Sequence, residues 1–278
     1  MELWFHERET DHLYIRCRID RVLHRERSRF QDIAVLESPE MGRMLVLDGI
    51  VQTTLRDEFV YHEMMAHVPL YSHPDPRRVL VVGGGDGGTV REVLKHPGVE
   101  EVHLVEIDER VIEVCRRFLP ELAGALSDPR VTIHIEDGVA YLAREADRYD
   151  VVIVDSTDPV GPGVGLFTEA FYASVARALR PGGLMVTQTE SPFFNPALVQ
   201  RIYRNIAAAF PRVFVFLADV PIYSIGLWSF TLGSKGPDPR APRLGPGELP
   251  PFPTRYYTPE VHRAAFALPR YVRDLLAG

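Results

Sequence analysis

The strongest constraint on how this chain folds is a rhythm in its middle third. Short, continuous apolar runs at residues 79–82, 102–106, 131–135, 151–154 and 184–189 alternate with helical patterns. Runs that stay apolar instead of alternating with polar residues read as strands buried on both faces, which requires a parallel sheet with helices above and below it. In one interval, residues 109–119, Val111, Ile112, Cys115, Phe118 and Leu119 share a helical face. In another, residues 170–179, the pattern ends at Pro181, Gly182 and Gly183. A third helix spans residues 197–210 and is followed by strands at 213–217 and 227–232 with no helix between them. Such a terminal pair has to be antiparallel, and this marks a Rossmann-like sheet of the methyltransferase type, not one of the dinucleotide-binding type.

The first 56 residues carry a different pattern. Strands at residues 13–19, 33–37, 43–47 and 50–54 are separated by turns at Pro39 with Gly42 and at Asp48-Gly49. The expectation is an α/β protein with a small N-terminal β-domain, residues 1–56, and a catalytic domain, residues 57–278. A helix is expected from Asp57 to His67, with Pro69 and the segment 72–76 punctuating the chain. The proline- and glycine-rich stretch 236–253 reads as an exposed loop, and 258–267 as another helix.

With 278 residues and a net charge of −7, the chain can bury a substantial core but lacks the basic surplus of a general nucleic-acid binder. Six arginines, Arg16, Arg18, Arg21, Arg25, Arg27 and Arg29, crowd one segment, yet Asp20 and Glu26 interrupt them and the pattern reads as a solvated face. The first residues lack the basic start and apolar core of a signal peptide, and no apolar run approaches the roughly 18 residues of a membrane span, so a cytoplasmic location is expected. Cys17 and Cys115 lie far apart and match neither a CxxC nor a zinc spacing, so neither a disulfide framework nor a metal site is expected.

In an open parallel sheet, ligands bind beyond the carboxyl ends of the strands. After the first strand comes GGGDGG, residues 83–88. Its glycines let the backbone approach a ligand, but Asp86 penalises a pyrophosphate and stabilises an ammonium or sulfonium. The second strand ends at Glu106, with Asp108 close behind, where a carboxylate can accept both hydroxyls of a ribose. That fits an adenosine of the S-adenosylmethionine type or a nicotinamide dinucleotide. Asp137, after the third strand, can accept from an adenine amino group while the backbone at Gly138 approaches the ring. The fourth strand leaves Asp155 and Asp158 at its edge. Asp86, Asp155 and Asp158 would repel one another unless a polycation sat among them. A magnesium site is the competing explanation, although such sites usually serve phosphates. Tyr61 and His62 could line the cleft or simply pack, and the same alternatives hold for Gln31, Gln188 and Tyr223. His134-Ile135-Glu136 lacks the PCxxC that a deaminase requires, and no GxSxG elbow is present.

Together, RSRFQDI, LDGIVQTT, RDEFVYHEMMAHVPL, VLVVGGGDGG, VEID, EDG, DSTDPVGP, QTESPF and YYTPEVHRAAFALP give a chain that resembles the spermidine synthase family, the polyamine aminopropyltransferases, over nearly its whole length. The resemblance implies transfer of an aminopropyl group from decarboxylated S-adenosylmethionine to putrescine, releasing methylthioadenosine and giving spermidine. It implies no prosthetic group, and a homodimer or homotetramer. By the same resemblance, Asp155 is the proton acceptor and Tyr61 an amine contact, and Tyr61 is expected to serve catalysis by orienting the amine. The amine contacts are His62, Asp86, Asp158, Ser156, Thr157, Tyr223 and Gln188. Gln31, Gly83, Gly85, Glu106, Asp137, Gly138 and Pro162 are the contacts to the thioadenosine half. The chain departs from the family around Tyr223, where Ile222, Ser224 and Ile225 are unusual, and at Leu55, where an acid is common. Acceptor preference therefore stays open among putrescine, cadaverine, agmatine and longer amines. Rival readings are an amine N-methyltransferase using intact S-adenosylmethionine, a nicotinamide-dependent oxidoreductase, and a noncatalytic polyamine or nucleoside sensor.

Overall fold

Two antiparallel assemblies open the chain in the computed structural model, which describes residues 2–157, 161–223 and 226–278, with Gly161 and Pro162 described by backbone alone. The first is a ribbon of β1 (Leu3–Arg8) and β2 (Tyr14–Ile19). The second is a four-stranded sheet of β3 (Arg21–Arg27), β4 (Asp32–Ser38), β5 (Gly42–Leu47) and β6 (Ile50–Thr54) in sequence order. Positive φ at both Asp48 and Gly49 makes the β5–β6 turn of the kind whose twist matches antiparallel strands. β1 and β3 are strands that the sequence pattern did not announce. No residue of either is fully buried, so their apolar alternation is weak. All six arginines of the N-terminal cluster are exposed.

The helix that follows, α1 (Glu58–Ser72), is longer than expected, because Pro69 lies within it and does not end it. Proline removes one helical hydrogen bond. Every residue of α1 except Phe59 is buried, and the His73 amide still donates to the Pro69 carbonyl at 3.0 Å, so packing carries the helix past the defect. Glu63 on α1 accepts the amides of Arg255, Tyr256 and Tyr257, each at 2.8 Å, and so fastens the C-terminal segment to the helix.

The parallel sheet then builds up. β7 (Arg78–Gly83), α2 (Gly88–Leu94), β8 (Glu101–Glu106), α3 (Glu109–Phe118) and α4 (Pro120–Ala123) are followed by β9 (Val131–Ile135), α5 (Gly138–Ala143) and β10 (Tyr149–Asp155). Next come α6 (Glu169–Ala178), β11 (Leu179–Gln188), α7 (Pro196–Ala209), β12 (Arg212–Ala218) and β13 (Trp228–Ser234), with α8 (Pro259–Ala265) and α9 (Arg270–Ala277) closing the chain. The seven strands lie in the order β12-β13-β11-β10-β7-β8-β9. β13 is inserted antiparallel between β11 and β12, which is the methyltransferase-type arrangement that the sequence led us to expect. Side chains alternate across the layer. Val79, Val81, Val151 and Ile153 pack with Met64 and Met65 of α1, while Leu80, Val82, Val152 and Val154 pack with Phe171, Tyr172 and Ile202 on the other face.

Candidate active site

β7 and β10 are neighbours in the sheet although β8 and β9 separate them in sequence, so the chain leaves this junction in opposite directions. Such a switch point opens a crevice at the carboxyl ends of the strands. The cleft here holds about 960 Å³ of atom-free space, its open mouth included, and Leu45, Leu47 and Gln52 of the N-terminal sheet form one of its walls. Gln31, Tyr61, His62, Gly83, Gly85, Asp86, Glu106, Asp137, Gly138, Asp155, Ser156 and Thr157 all line it, as does Tyr223. Gln188 lines an adjoining recess instead. Asp158 lies outside the described residues, as does the Pro162 side chain, together with Ser224 and Ile225.

Two glycines let this centre close up. Gly83 has φ +79°, and a Cβ there would come within 2.2 Å of the Asp155 carbonyl oxygen. A Cβ on Gly88 would lie 2.2 Å from the His62 ring, so this glycine leaves room for the imidazole against the start of α2. Asp155 is held at both oxygens: the Tyr61 hydroxyl donates to Oδ1 at 2.8 Å and the Thr89 hydroxyl to Oδ2 at 2.6 Å. Burial, and next the neighbouring Asp86 carboxylate, raise the Asp155 pKa above the usual carboxylate range, against the pull of His62, Thr89 and Tyr61. The Tyr61 hydroxyl is pushed well up by burial and by Asp155, so it stays a phenol and donates.

His62 gives the carboxylates a cationic partner within the protein itself. Its Nδ1 faces Glu58 Oε2 at 2.7 Å and its Nε2 faces Asp86 Oδ1 at 3.6 Å. Burial alone would lower its pKa, but Asp86 and Glu58 carry it up to about 10, so the site contains its own imidazolium. Asp86 also accepts the Gly88 amide at 2.6 Å. Burial would raise the Asp86 carboxyl, but His62 and that amide hold it below its ordinary value.

The opposite end of the cleft is built differently. Glu106 Oε1 accepts the Asp108 amide at 2.9 Å, and Asp108 in turn accepts from Ser28 Oγ at 2.6 Å and Gln31 Nε2 at 2.9 Å. Burial raises Glu106 to about 7 despite its backbone donors. Asp137 caps α5 by accepting the Val139 amide at 2.7 Å, which leaves the carboxylate at the cleft wall. In the adjoining recess, Gln188 Nε2 donates to the Ser156 carbonyl at 3.4 Å, and its Oε1 accepts the Glu190 amide at 3.0 Å. The Tyr223 hydroxyl donates to the Gln52 carbonyl at 2.6 Å, and its ring lies 4.5 Å from that of Trp228. Glu7, Glu9 and Glu190 make the recess acidic.

Sequence reading missed Thr89, Glu58 and the Ser28–Asp108–Gln31 contacts. A glutamate four residues before a histidine on one helix was a legible signal for Glu58. Nothing in the spacing connects Thr89 with Asp155, since 66 residues separate them. Among the described residues, no group of three or more His, Cys, Asp or Glu side chains could hold a metal ion.

Comparison with known proteins places this geometry in context. Residues 58–241 match the spermine/spermidine synthase domain, and residues 3–54 match the spermidine synthase tetramerisation domain. The chain is 54% identical to the polyamine aminopropyltransferase of Desulforudis audaxviator over 274 residues, covering 99% of each chain. It is 48% identical to the polyamine aminopropyltransferase of Bacillus subtilis over 275 residues, again covering 99% of each. A crystal structure of spermidine synthase in complex with the transition-state analogue AdoDATO superimposes with a TM-score of 0.96 at 42% identity, over 99% of this chain and 95% of that one. The spermidine synthase of Thermotoga maritima superimposes with a TM-score of 0.94 at 41% identity, over 99% of this chain and 94% of that one.

Proposed function

This chain belongs to the spermine/spermidine synthase family, and from that premise we propose that it moves the aminopropyl group of decarboxylated S-adenosylmethionine to putrescine, giving spermidine and methylthioadenosine. The observation that carries the reading is the Asp155 carboxylate at the switch point, held by Tyr61 and Thr89 and faced by Asp86. A primary ammonium, with a pKa of about 10, is no nucleophile until it loses a proton. Asp155 takes that proton, and its raised pKa brings it closer to the working pH of a general base. The freed nitrogen lone pair attacks the carbon beside the sulfonium as the carbon–sulfur bond breaks. The bonding pair goes to sulfur and leaves a neutral thioether. Because the sulfonium is already activated, alignment in the cleft supplies much of the remaining acceleration.

In this reading, Tyr61 and Thr89 orient the base. Asp86 holds the aminopropyl ammonium and disfavours a donor that keeps its carboxylate. Gln31, Glu106, Asp137 and Gly138 line the thioadenosine end, with the Gly83 and Gly85 backbone between the two halves. Ser156, Thr157, Gln188 and Tyr223 border the recess where the acceptor enters, and its acidic residues suit a polyamine. Residues 57–278 carry the chemistry, and residues 1–56 close the cleft and assemble the oligomer.

The match to the tetramerisation domain supports assembly, and we take the oligomer to be a homodimer or homotetramer, which sedimentation analysis distinguishes. A cytoplasmic location suits the two free cysteines, and no helix among the described residues is long and apolar enough to cross a membrane. The direct test incubates the protein with decarboxylated S-adenosylmethionine and a panel of putrescine, cadaverine, agmatine and triamines, with product detection by mass spectrometry. Methylthioadenosine and spermidine are expected. Absence of product from every amine would reject the reading, and methylated amine from intact S-adenosylmethionine would replace it with N-methyl transfer.

A further inference from the structure

The face shared by α1 and α2 carries an ordered line of charges that runs from the cleft into the interior, and beyond Asp86 and His62 the transfer reaction does not itself use it. It begins at Asp86, passes through His62 to Glu58 Oε2, and continues to Arg91, whose Nη2 donates to that same oxygen at 2.7 Å. Arg91 Nε then donates to Glu92 Oε1 at 2.8 Å, and Glu92 Oε2 faces His67 Nε2 at 3.1 Å. Glu58, His62 and Glu92 are buried, with side-chain exposures of 6%, 2% and 1%. A buried glutamate beside a histidine would be costly unless the pair were charged and further bonded. Arg91 supplies that further bond.

We infer that Glu58, braced by Arg91, is a positioning residue: it keeps His62 an N–H donor at both ring nitrogens, and so fixes the Asp86 carboxylate that faces the aminopropyl group. The geometry supports each link. Gly88 is the only residue type that leaves room for the ring, which confines His62 to the line between Glu58 and Asp86. The Gly88 amide donates to Asp86 Oδ1 at 2.6 Å, and His62 Nε2 faces the same oxygen at 3.6 Å, so the ring and the amide converge on one side of that carboxylate. Among the described residues, the charged and titratable groups around His62 are Glu58 and Tyr61 on its own helix, Asp86 in the glycine loop, Arg91 on α2 and Asp155 at the end of β10. Glu58 and Asp86 favour a protonated ring. Arg91 holds Glu58 ionised, while its own positive charge, by Coulomb repulsion, opposes the imidazolium.

The inference rests on the aminopropyl-transfer reading only for its kinetic arm. The first measurement needs no substrate. In protein labelled with ¹⁵N-histidine, the His62 resonances, assigned by their loss in His62→Gln, should report two protonated nitrogens up to at least pH 8. A neutral ring at pH 7.5 would overturn the inference. Glu58→Gln keeps the size and the acceptor oxygen but removes the charge, and His62 deprotonation should then move down by about one pH unit or more. An unmoved midpoint would also overturn it. Should Glu58→Gln not fold, Arg91→Gln reads the link from the more exposed end of the line: it removes a positive charge that opposes the protonated ring, so His62 deprotonation should move up, and a downward shift would overturn the inference.

In the kinetic arm, Glu58→Gln should raise the donor KM by ~3-fold at pH 9.5 but hardly at pH 6.5, where the ring is protonated with or without Glu58, with kcat changed by less than ~3-fold. In a His62→Gln background, Glu58→Gln should add little more, because the link it acts through is gone. A loss independent of pH, or one that adds fully to that of His62→Gln, would reduce Glu58 to a structural residue. If no amine is turned over at all, the transfer reading fails, while the titration still decides the fate of the Glu58 link.

Discussion

The two halves of the cleft treat their carboxylates in opposite ways. At the end proposed for the transfer, Asp155 and Asp86 are already engaged by Tyr61 and His62 of α1 and by the Thr89 hydroxyl and Gly88 amide at the start of α2. At the end proposed for the thioadenosine, Glu106 is held by backbone amides, and burial lifts it to about 7. The difference shows where preorganisation matters. A base that must accept a proton in the transition state is fixed beforehand by donors of the protein, since reorganising it during the reaction would add to the barrier. A carboxylate that only receives hydroxyl groups can await its ligand half-neutralised, and binding then supplies the missing donors.

Replacement of the base should break this comparison most severely. Asp155→Asn is expected to lower kcat by ~10³-fold while decarboxylated S-adenosylmethionine still binds, as calorimetry can show. Near-normal turnover would require another base. Asp86→Asn should weaken the donor by ~10- to 100-fold and putrescine much less, because the lost charge faces the aminopropyl ammonium. Equal losses for both ligands would contradict the role given to Asp86. Tyr61→Phe and Thr89→Val each remove one hydrogen bond that favours ionised Asp155, so each should cost ~10-fold in kcat and move the acidic limb of the pH profile upward. If neither variant moves that limb, the base is not Asp155.

The smallest effect should come from Glu106→Gln, and its sign is informative. In the folded protein without ligand, Glu106 titrates near 7, above its ordinary 4.5, so the folded state binds more protons than the unfolded one between those values. Its contribution to stability is present below about pH 4.5 and fades as pH rises through 7. The variant should therefore melt about 2–4 °C higher than the parent at pH 8 and no higher at pH 4. Donor affinity should rise with pH through 7 in the parent, and this slope should vanish in the variant. A parent whose donor affinity is flat across that range would mean that Glu106 is already ionised before binding.

The sequence revealed the two regions unequally. β7, β8 and β10 were legible because each is buried on both faces, and the edge strand β9 because Val131, Ile133 and Ile135 recur at every second position; all four lie within a residue or two of where the runs place them. β1 and β3 were not, because a strand exposed on most of its positions leaves little apolar period to read. Pro69 misled for a related reason. Local propensity argues for a helix end, and only the burial of α1 on all sides keeps the helix going.

The residues of the site show the same division. Position after a strand was enough to mark Asp86, Glu106, Asp137 and Asp155, because the parallel topology gathers the carboxyl ends of its strands at one edge. The sequence thus determined the fold class and the acidic character of the cleft, both of which follow from patterns within a few consecutive residues. Only the tertiary structure decided the long-range partners, His62 for Asp86 and Tyr61 with Thr89 for Asp155. His62 lies between Glu58 and Asp86, and Thr89 lies against Asp155, because α1 and α2 pack side by side over the β7–β10 junction. Hydrogen bonds between groups far apart in sequence depend on distances of a fraction of an ångström, and no local pattern of residues encodes those.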